Sequence, residues 1–335
     1  MREGVKGFVT GIAGFVGTHL AMRLVREGHE VSGIDLPIPE TDAWKALWDD
    51  KVVPVTHGWV EHDATVQVIE KAHPDVVVHL AARAIVEDGF RNPIPTFLTD
   101  VMGTLYVLEA CRKLNLPVLV ATTDKVYGTA GPPYFEDTPF LPFTPYDTSK
   151  AAADLLCNCY SKSYKLPVIT VRSCNIYGPG DLHWSRLVPG SFQALARNER
   201  PVLYTSMQNV RREWVHVDDE VEAIMLLTRK LLDGAPSARG AYNIGTGDVL
   251  TNRTMMNKII GVTGKKVTPI LAEKDFPEIG DQWLNHNRLD DIGWSPKVPL
   301  NDGLKRTWEW YSGYVGGRDA RSTLEDAQRK GLHHL

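Results

Sequence analysis

Cysteine is scarce in this chain. The four present, Cys111, Cys157, Cys159 and Cys174, are too scattered for a disulfide framework, and none forms a Cys-x-x-Cys pair. A chain of 335 residues that is 43% hydrophobic can bury a full core. It needs neither disulfides nor a metal for stability, and a reducing cytoplasm is the expected setting. No apolar run reaches membrane length, and the opening Met1-Arg2-Glu3-Gly4 passes into a strand-like segment without a signal-peptide core. We expect no membrane span. Basic surface is also missing: the formal charge is -4, and the nearest approach to a basic cluster, Arg211-Arg212, is followed at once by Glu213. That balance offers nucleic acid no net attraction, whereas a diphosphate needs only two or three local cations. Repeats and low-complexity tracts are absent, although apolar periodicity fades after Tyr314 and marks 316–335 as a peripheral tail.

What is present is alternation. Short apolar runs (Gly7–Thr10, Val31–Asp35, Val76–Leu80, Val118–Thr122, Val168–Arg172) take turns with helical stretches (Gly17–Glu27, Val66–Ala72, Gly103–Leu114, Ser149–Tyr164). Such alternation predicts an α/β fold with a doubly wound parallel sheet covered on both faces. The near-continuous apolar character of Val76-Val77-Val78 and Val118-Leu119-Val120-Ala121 fits strands buried on both sides. After Tyr177, Gly178-Pro179-Gly180 punctuates the chain and a less patterned region follows. Glu220–Leu232 reads as a further helix over the sheet and Ala241–Ile244 as a late strand. The expected division is a Rossmann domain of 1–177 and 213–245, and a smaller, discontinuous substrate-binding lobe of 178–212 and 246–315.

Gly11-Ile12-Ala13-Gly14-Phe15-Val16-Gly17 lies between a predicted strand and a predicted helix, the context that a dinucleotide fingerprint requires. Gly11 permits the tight turn, Gly14 lets a pyrophosphate approach the backbone, Gly17 lets helix and strand pack closely, and the free amides of the helix start attract the anion. Eighteen residues past Gly17, Asp35 ends the second strand, where a carboxylate accepts hydrogen bonds from ribose hydroxyls and repels a 2′-phosphate. With no Arg or Lys just after it, NAD is favoured over NADP. The plainer reading of Asp35 is a turn residue before Pro37.

Tyr146 and Lys150 stand four apart at the opening of a helix, so both project from one face. A nearby ammonium and a cationic nicotinamide lower a phenol's pKa toward neutrality, and the phenolate can then take a proton from a substrate hydroxyl. A Tyr-x-x-x-Lys alone is weak; following a dinucleotide fingerprint, it carries weight.

Taken in order, further motifs join these: His79-Leu80-Ala81-Ala82, Thr123-Asp124-Lys125-Val126-Tyr127-Gly128, Arg172-x-x-Asn175-x-Tyr177-Gly178-Pro179, Arg212-x-x-x-x-His216-Val217-Asp218-Asp219 and Tyr242-Asn243-Ile244-Gly245. As an ordered set to about residue 311 they resemble the extended short-chain dehydrogenase/reductase family of sugar-nucleotide epimerases and dehydratases. The resemblance implies that Tyr146 is the general base on the sugar C4 hydroxyl. Lys150 would hold the nicotinamide ribose, Thr123 would bind the same sugar oxygen, and Ala81 and Ala82 would line the cofactor. It further implies that Asn175 and Arg212 meet the substrate diphosphate and that Leu187-Val188-Pro189 lies near the nucleobase. A guanidinium suits phosphate geometry; the plainer role for Arg212 is a salt bridge with Glu213 or Glu220. Four departures stand out: Ala13 at a variable position, Gly58-Trp59 in place of an adenine-contacting aspartate (with Asp63 a candidate substitute), Asp100 where asparagine is common, and Met207-Gln208-Asn209 without the usual glycine.

The family's two leading reactions share an oxidation at C4 and then diverge. An epimerase needs no acid near C6, whereas a 4,6-dehydratase needs a proton donor for the departing C6 hydroxyl and a base at C5. Asp124-Lys125 places an ionisable pair after Thr123. That pair, with Gly180-Asp181-Leu182-x-Trp184-x-Arg186-Leu187-Val188-Pro189, resembles the CDP-glucose 4,6-dehydratase branch. Asp124 would be the acid, its pKa raised by burial, and Lys125 would act at C5 or orient the sugar. The plainer reading is a solvent-facing charged pair at a strand end. A non-catalytic NAD-binding module is a third hypothesis, opposed by the intact Tyr146 and Lys150. The likeness also implies a homodimer through helices near 103–114 and 149–164. The apolar excess of Ala151-Ala152-Ala153, Leu155-Leu156 and Tyr160 suits this, with Cys157 and Cys159 as packing residues.

Overall fold

The computed structural model describes residues 4–35, 52–56, 62–235 and 239–317. Gly58-Trp59 and residues 318–335 of the expected tail lie outside them. The strands, in chain order, are β1 (Lys6–Thr10), β2 (Glu30–Asp35), β3 (Val52–Thr56), β4 (Val76–His79), β5 (Val118–Thr123), β6 (Val168–Ser173), β7 (Asn175–Tyr177), β8 (Val202–Tyr204), β9 (Arg211–His216), β10 (Gly240–Ile244), β11 (Val249–Thr251) and β12 (Ile270–Ala272). Seven form one sheet in the order β10-β6-β5-β4-β1-β2-β3, parallel at every pairing. The strand β3 was not expected from the sequence.

The unbroken apolar strands serve two cores at once, because successive side chains of a strand point to opposite faces. Val76, Val78 and Leu119 join the core beneath the helices Phe15–Arg26 and Val217–Leu232. Val77, Val118 and Val120 join the core beneath Gly103–Leu114 and Pro145–Tyr164. Either face left uncovered would expose half of each strand's side chains, which is why both helical layers are required.

A third core is built around Phe192, Met255, Ile259, Trp310 and Tyr311. It joins the helices Leu187–Ala196, Asn252–Thr263 and Leu300–Val315. Two small sheets accompany it, β11-β9-β7 and β12-β8. β7 and β9 pair with each other, not with the main sheet. The chain leaves the main sheet at Cys174, whose amide still donates to Ile244 O (3.1 Å), and returns with the helix Val217–Leu232.

Helix starts come earlier than apolar periodicity suggests, because capping rather than burial sets them. The helix expected from Ser149 begins at Pro145: Thr144 and Asp147 form a reciprocal capping box, and Pro145 sits in the first turn. Tyr146 is thereby fixed in that turn, with Lys150 one turn on. The helix expected from Glu220 begins at Val217, capped by His216.

The outward surface of Pro145–Tyr164 is narrower than its composition implies. Ala151, Ala153, Cys157 and Tyr160 are buried within the chain's own core, so Cys157 is not available to an interface; Leu155, 58% exposed, and Cys159 face outward. Among the described residues no helix is long and apolar enough to cross a membrane.

Candidate active site

A cavity of about 620 Å³ opens along the C-terminal edge of the main sheet. β1 has β2 on one side and β4 on the other, so the strand order reverses there, and such switch points leave a crevice for ligands. Gly11, Gly14, Phe15, Val16 and Gly17 line its inner wall. Gly11 has φ +70°, and a Cβ there would sit 2.7 Å from the Ala81 amide nitrogen; one on Gly17 would collide with the Gly11 carbonyl. Gly14 caps the helix Phe15–Arg26 with no side-chain hydrogen bond, leaving the first-turn amides to an anion. Asp35 Oδ2 accepts from Ala13 N at 2.8 Å, which ties the end of β2 to the glycine loop. These features fit a dinucleotide: a cradle that only glycine permits, an uncapped helix start and a carboxylate at the end of β2. Ala82 lines the cavity, whereas Ala81 packs behind Gly11.

Tyr146 and Lys150 line the cavity together with Thr123. Lys150 Nζ donates to Ala121 O at 2.7 Å, and burial pulls its pKa below the usual lysine value against the opposing charge of Asp100. Without the nicotinamide charge on which the expected lowering depends, the Tyr146 phenol lies above its usual value. Burial pushes it up, Asp100 adds to the rise, and Arg186 and a hydrogen bond with Thr123 only partly oppose them. The chain's own groups therefore favour the protonated phenol, and a positive charge beside it would oppose them. Asp100, where asparagine was anticipated, is 1% exposed within the short π-helical turn Leu98–Met102. It accepts from Arg83 N (2.8 Å) and Ser149 Oγ (2.8 Å).

Asp124 and Lys125 follow β5 in a 3-10 turn whose cap is Thr123. They are 3% and 9% exposed and both line the cavity, so the pair does not face solvent. Thr123 Oγ1 donates to Asp124 Oδ1 at 3.1 Å, while Asp124 Oδ2 is buried without a partner. Burial holds the Asp124 carboxyl above the usual carboxylate range, opposed by Lys125 and Arg212. Burial, reinforced by Arg212, pulls Lys125 down. Its ammonium donates to Gln282 Oε1 at 3.0 Å.

Arg212 does not pair with Glu213 or Glu220. Its guanidinium is held by the carbonyls of Ile279 (2.6 Å) and Gly280 and by Glu278 at 3.5 Å. Glu213 instead accepts from the amides of Thr246, Gly247 and Leu284, and Glu220 accepts from Ser173. Glu278 is also 3.6 Å from Lys125 and pairs with Lys274, so three cations converge on one carboxylate beside the cavity. Lys274 is pulled down to about 8 by burial, Lys125 and Arg212. Gln282, Glu278 and Lys274 were not singled out from the sequence, and no spacing signal marks them.

Asn175, Arg186, Leu187 and Pro189 also line the cavity. Asn175 Nδ2 donates to Glu213 O at 3.0 Å. Arg186 pairs with Asp181 at 2.9 Å and reaches Ala84 O at 3.2 Å, bridging the small lobe and the end of β4. Met207 O holds Asn252 Nδ2 at 3.0 Å, which anchors the turn that lacks glycine. Asp63 lies in the first turn of the helix His62–Ala72, outside the cavity lining.

With this geometry in place, the likeness to known proteins is specific. A family model described as the NAD dependent epimerase/dehydratase family matches residues 8–245. A dTDP-glucose 4,6-dehydratase of Mycolicibacterium smegmatis is 33% identical over 320 residues, covering 90% of this chain and 92% of that protein. A UDP-glucose 4-epimerase of the same organism is 31% identical over 322 residues, covering 92% and 98%. Among solved structures, a dTDP-glucose 4,6-dehydratase of Streptomyces venezuelae, with NAD bound, superposes with a TM-score of 0.83 at 28% identity, covering 94% of this chain and 99% of that one. Glycine cradle, parallel sheet and sequence likeness agree: the chain belongs to the NAD-dependent epimerase/dehydratase family.

Proposed function

We propose that this enzyme is a nucleotide-sugar 4,6-dehydratase. The observation that carries the reading is the buried Asp124–Lys125 pair beside Thr123 and Tyr146. NAD supplies a hydride acceptor and, later in the same cycle, the donor. Tyr146 takes the proton of the C4 hydroxyl, and Thr123 holds that oxygen. Once C4 is a ketone, C5–H is acidified, and Lys125, whose pKa burial and Arg212 pull below the usual lysine value, removes the C5 proton or orients the sugar for its removal. Asp124, its pKa raised by burial and with one oxygen unpartnered, gives its proton to the C6 hydroxyl as it leaves as water, after which the hydride returns to C6 and a proton to C5. Asn175 and Arg212 would meet the diphosphate, and Arg186, Leu187 and Pro189 the nucleoside. Asp35 would receive the adenosine ribose.

The competing reading is a 4-epimerase, favoured by the 31% identity to a UDP-glucose 4-epimerase. Incubation with CDP-, dTDP-, GDP- and UDP-hexoses in deuterated water separates the two. Loss of water with deuterium at C5 supports the dehydratase; a product of unchanged mass, inverted at C4 and without deuterium, overturns it. We further infer a cytoplasmic homodimer through the helices Gly103–Leu114 and Pro145–Tyr164, whose exposed Leu155 and Tyr164 would be covered. A monomeric mass by light scattering at micromolar concentration would refute the dimer.

A further inference from the structure

The cavity has a second polar wall that this chemistry leaves unused. Glu220, in the first turn of the helix Val217–Leu232, is 1% exposed yet reaches the cavity lining. Its Oε1 accepts from Ser173 Oγ at 2.7 Å, while Oε2 is buried with no partner. A buried carboxyl oxygen left unpaired is costly, and this one belongs to a side chain on the cavity wall.

The fold says which end of the ligand arrives there. The glycine loop lies at the end of β1 and Tyr146 beside the end of β5, so an extended dinucleotide crosses the strand ends from β1 toward β6 with its reacting ring nearest Tyr146. Ser173 ends β6 and is paired in register with Thr123 on β5. Glu220 comes from the helical layer opposite that of Tyr146 and Lys150. A ring placed against Tyr146 thus has the catalytic pair on one side and the Glu220–Ser173 pair on the other.

We propose that Glu220, positioned by Ser173, sits against the nicotinamide and discriminates its redox state, holding the cationic oxidised ring more tightly than the neutral reduced one. Opposite charges in a low-dielectric wall attract strongly, and no bond to Glu220 forms or breaks. The carboxyl titrates near neutrality, since burial raises it to about 7, so the discrimination changes with pH. The Cys174 thiol after β6 feels the charges of Glu213, Asp124 and Glu220 itself, and the helix Phe15–Arg26, packed on Val217–Leu232, carries His19 and Arg23. Arg23 is already paired with Glu27 and Glu222, and burial pulls the His19 imidazole below its usual value and pushes the Cys174 thiol well above its own.

The inference is independent of the choice between dehydratase and epimerase but rests on Tyr146 marking the reacting end. Turnover of Tyr146→Phe tests that premise separately, because the experiment here reads binding. NADH is titrated by its fluorescence into the full-length protein, and NAD+ is measured by competition, at pH 6 to 8. In the wild type, the ratio of the NADH to the NAD+ dissociation constant should rise with pH, on the order of tenfold for each unit by which the ring shifts the carboxyl. Glu220→Gln should abolish that rise, with NAD+ weakened and NADH nearly unchanged. A flat ratio in the wild type overturns the proposal without any variant. Equal weakening of both ligands in Glu220→Gln, which a merely structural role gives, also overturns it.

Discussion

Glu220 yields a prediction that needs no substrate. In the folded chain its carboxyl titrates at about 7 against 4.5 unperturbed; a gap of about 2.5 units is worth about 3 kcal/mol at 1.36 kcal/mol per unit. The folded value is the higher one, so the native state holds the proton more tightly. The contribution is full below the unfolded pKa and is lost as pH rises through the folded one. Glu220→Gln removes this titration while keeping the shape and an acceptor for Ser173. Its unpaired amide adds a penalty that is the same at every pH, so the slope is diagnostic rather than the offset. Across pH 5.5 to 8 the variant's unfolding free energy should rise relative to the wild type by about 2 kcal/mol, the part of the linkage that falls within that window. All other ionisable groups cancel in the difference. Urea denaturation in parallel at five pH values measures it. A difference constant to within a few tenths of a kcal/mol would show that Glu220 is ionised throughout, and the reasoning from burial would fail.

Tyr146→Phe should reduce turnover by on the order of 100-fold or more, the usual size of a general-base contribution. NAD+ affinity and thermal midpoint should stay near wild type, and a smaller loss would move the base elsewhere. Asp124→Asn should still exchange C5–H with deuterated solvent yet stall before water is lost; unimpaired dehydration would remove Asp124 as the acid. Asp35→Ala should weaken NAD and relax discrimination against NADP, measured as the ratio of their dissociation constants, and an unchanged ratio would mean that Asp35 does no more than hold the Ala13 amide.

The main sheet was legible because its causes are local. Val76–Val78 and Val118–Val120 announce double burial by being apolar at consecutive positions, and the glycine loop announces itself by lying between strand and helix. Helix starts were less legible. The Thr144–Asp147 capping box and the His216 cap act three or four residues ahead of the first apolar repeat, so periodicity alone places the helix too late. The strand β3 escaped notice because a proline interrupts Val52-Val53-Pro54-Val55-Thr56, and proline is unwelcome in a sheet except at an edge, which is where β3 lies.

The site divided along the same line. Residues that act through their own type and short spacing, such as Tyr146 with Lys150 or Asp124 with Lys125, could be nominated from the sequence. Their pKa shifts could not, because the first cause of each is burial, which only the folded chain creates. Lys125 meets Gln282 and Glu278, and Arg212 finds its partners at 278–280 instead of at the adjacent Glu213. Glu213, next to Arg212 on the same strand, points to the opposite face, where it accepts from three backbone amides. Charge proximity along the chain therefore misleads at a site assembled from both lobes: the segment that neutralises Arg212 is the one that also touches Lys125. On the proposed reading, a diphosphate beside Arg212 would compete with Glu278 for the same cations, and its binding would alter the electrostatic surroundings of the residue proposed to act at C5.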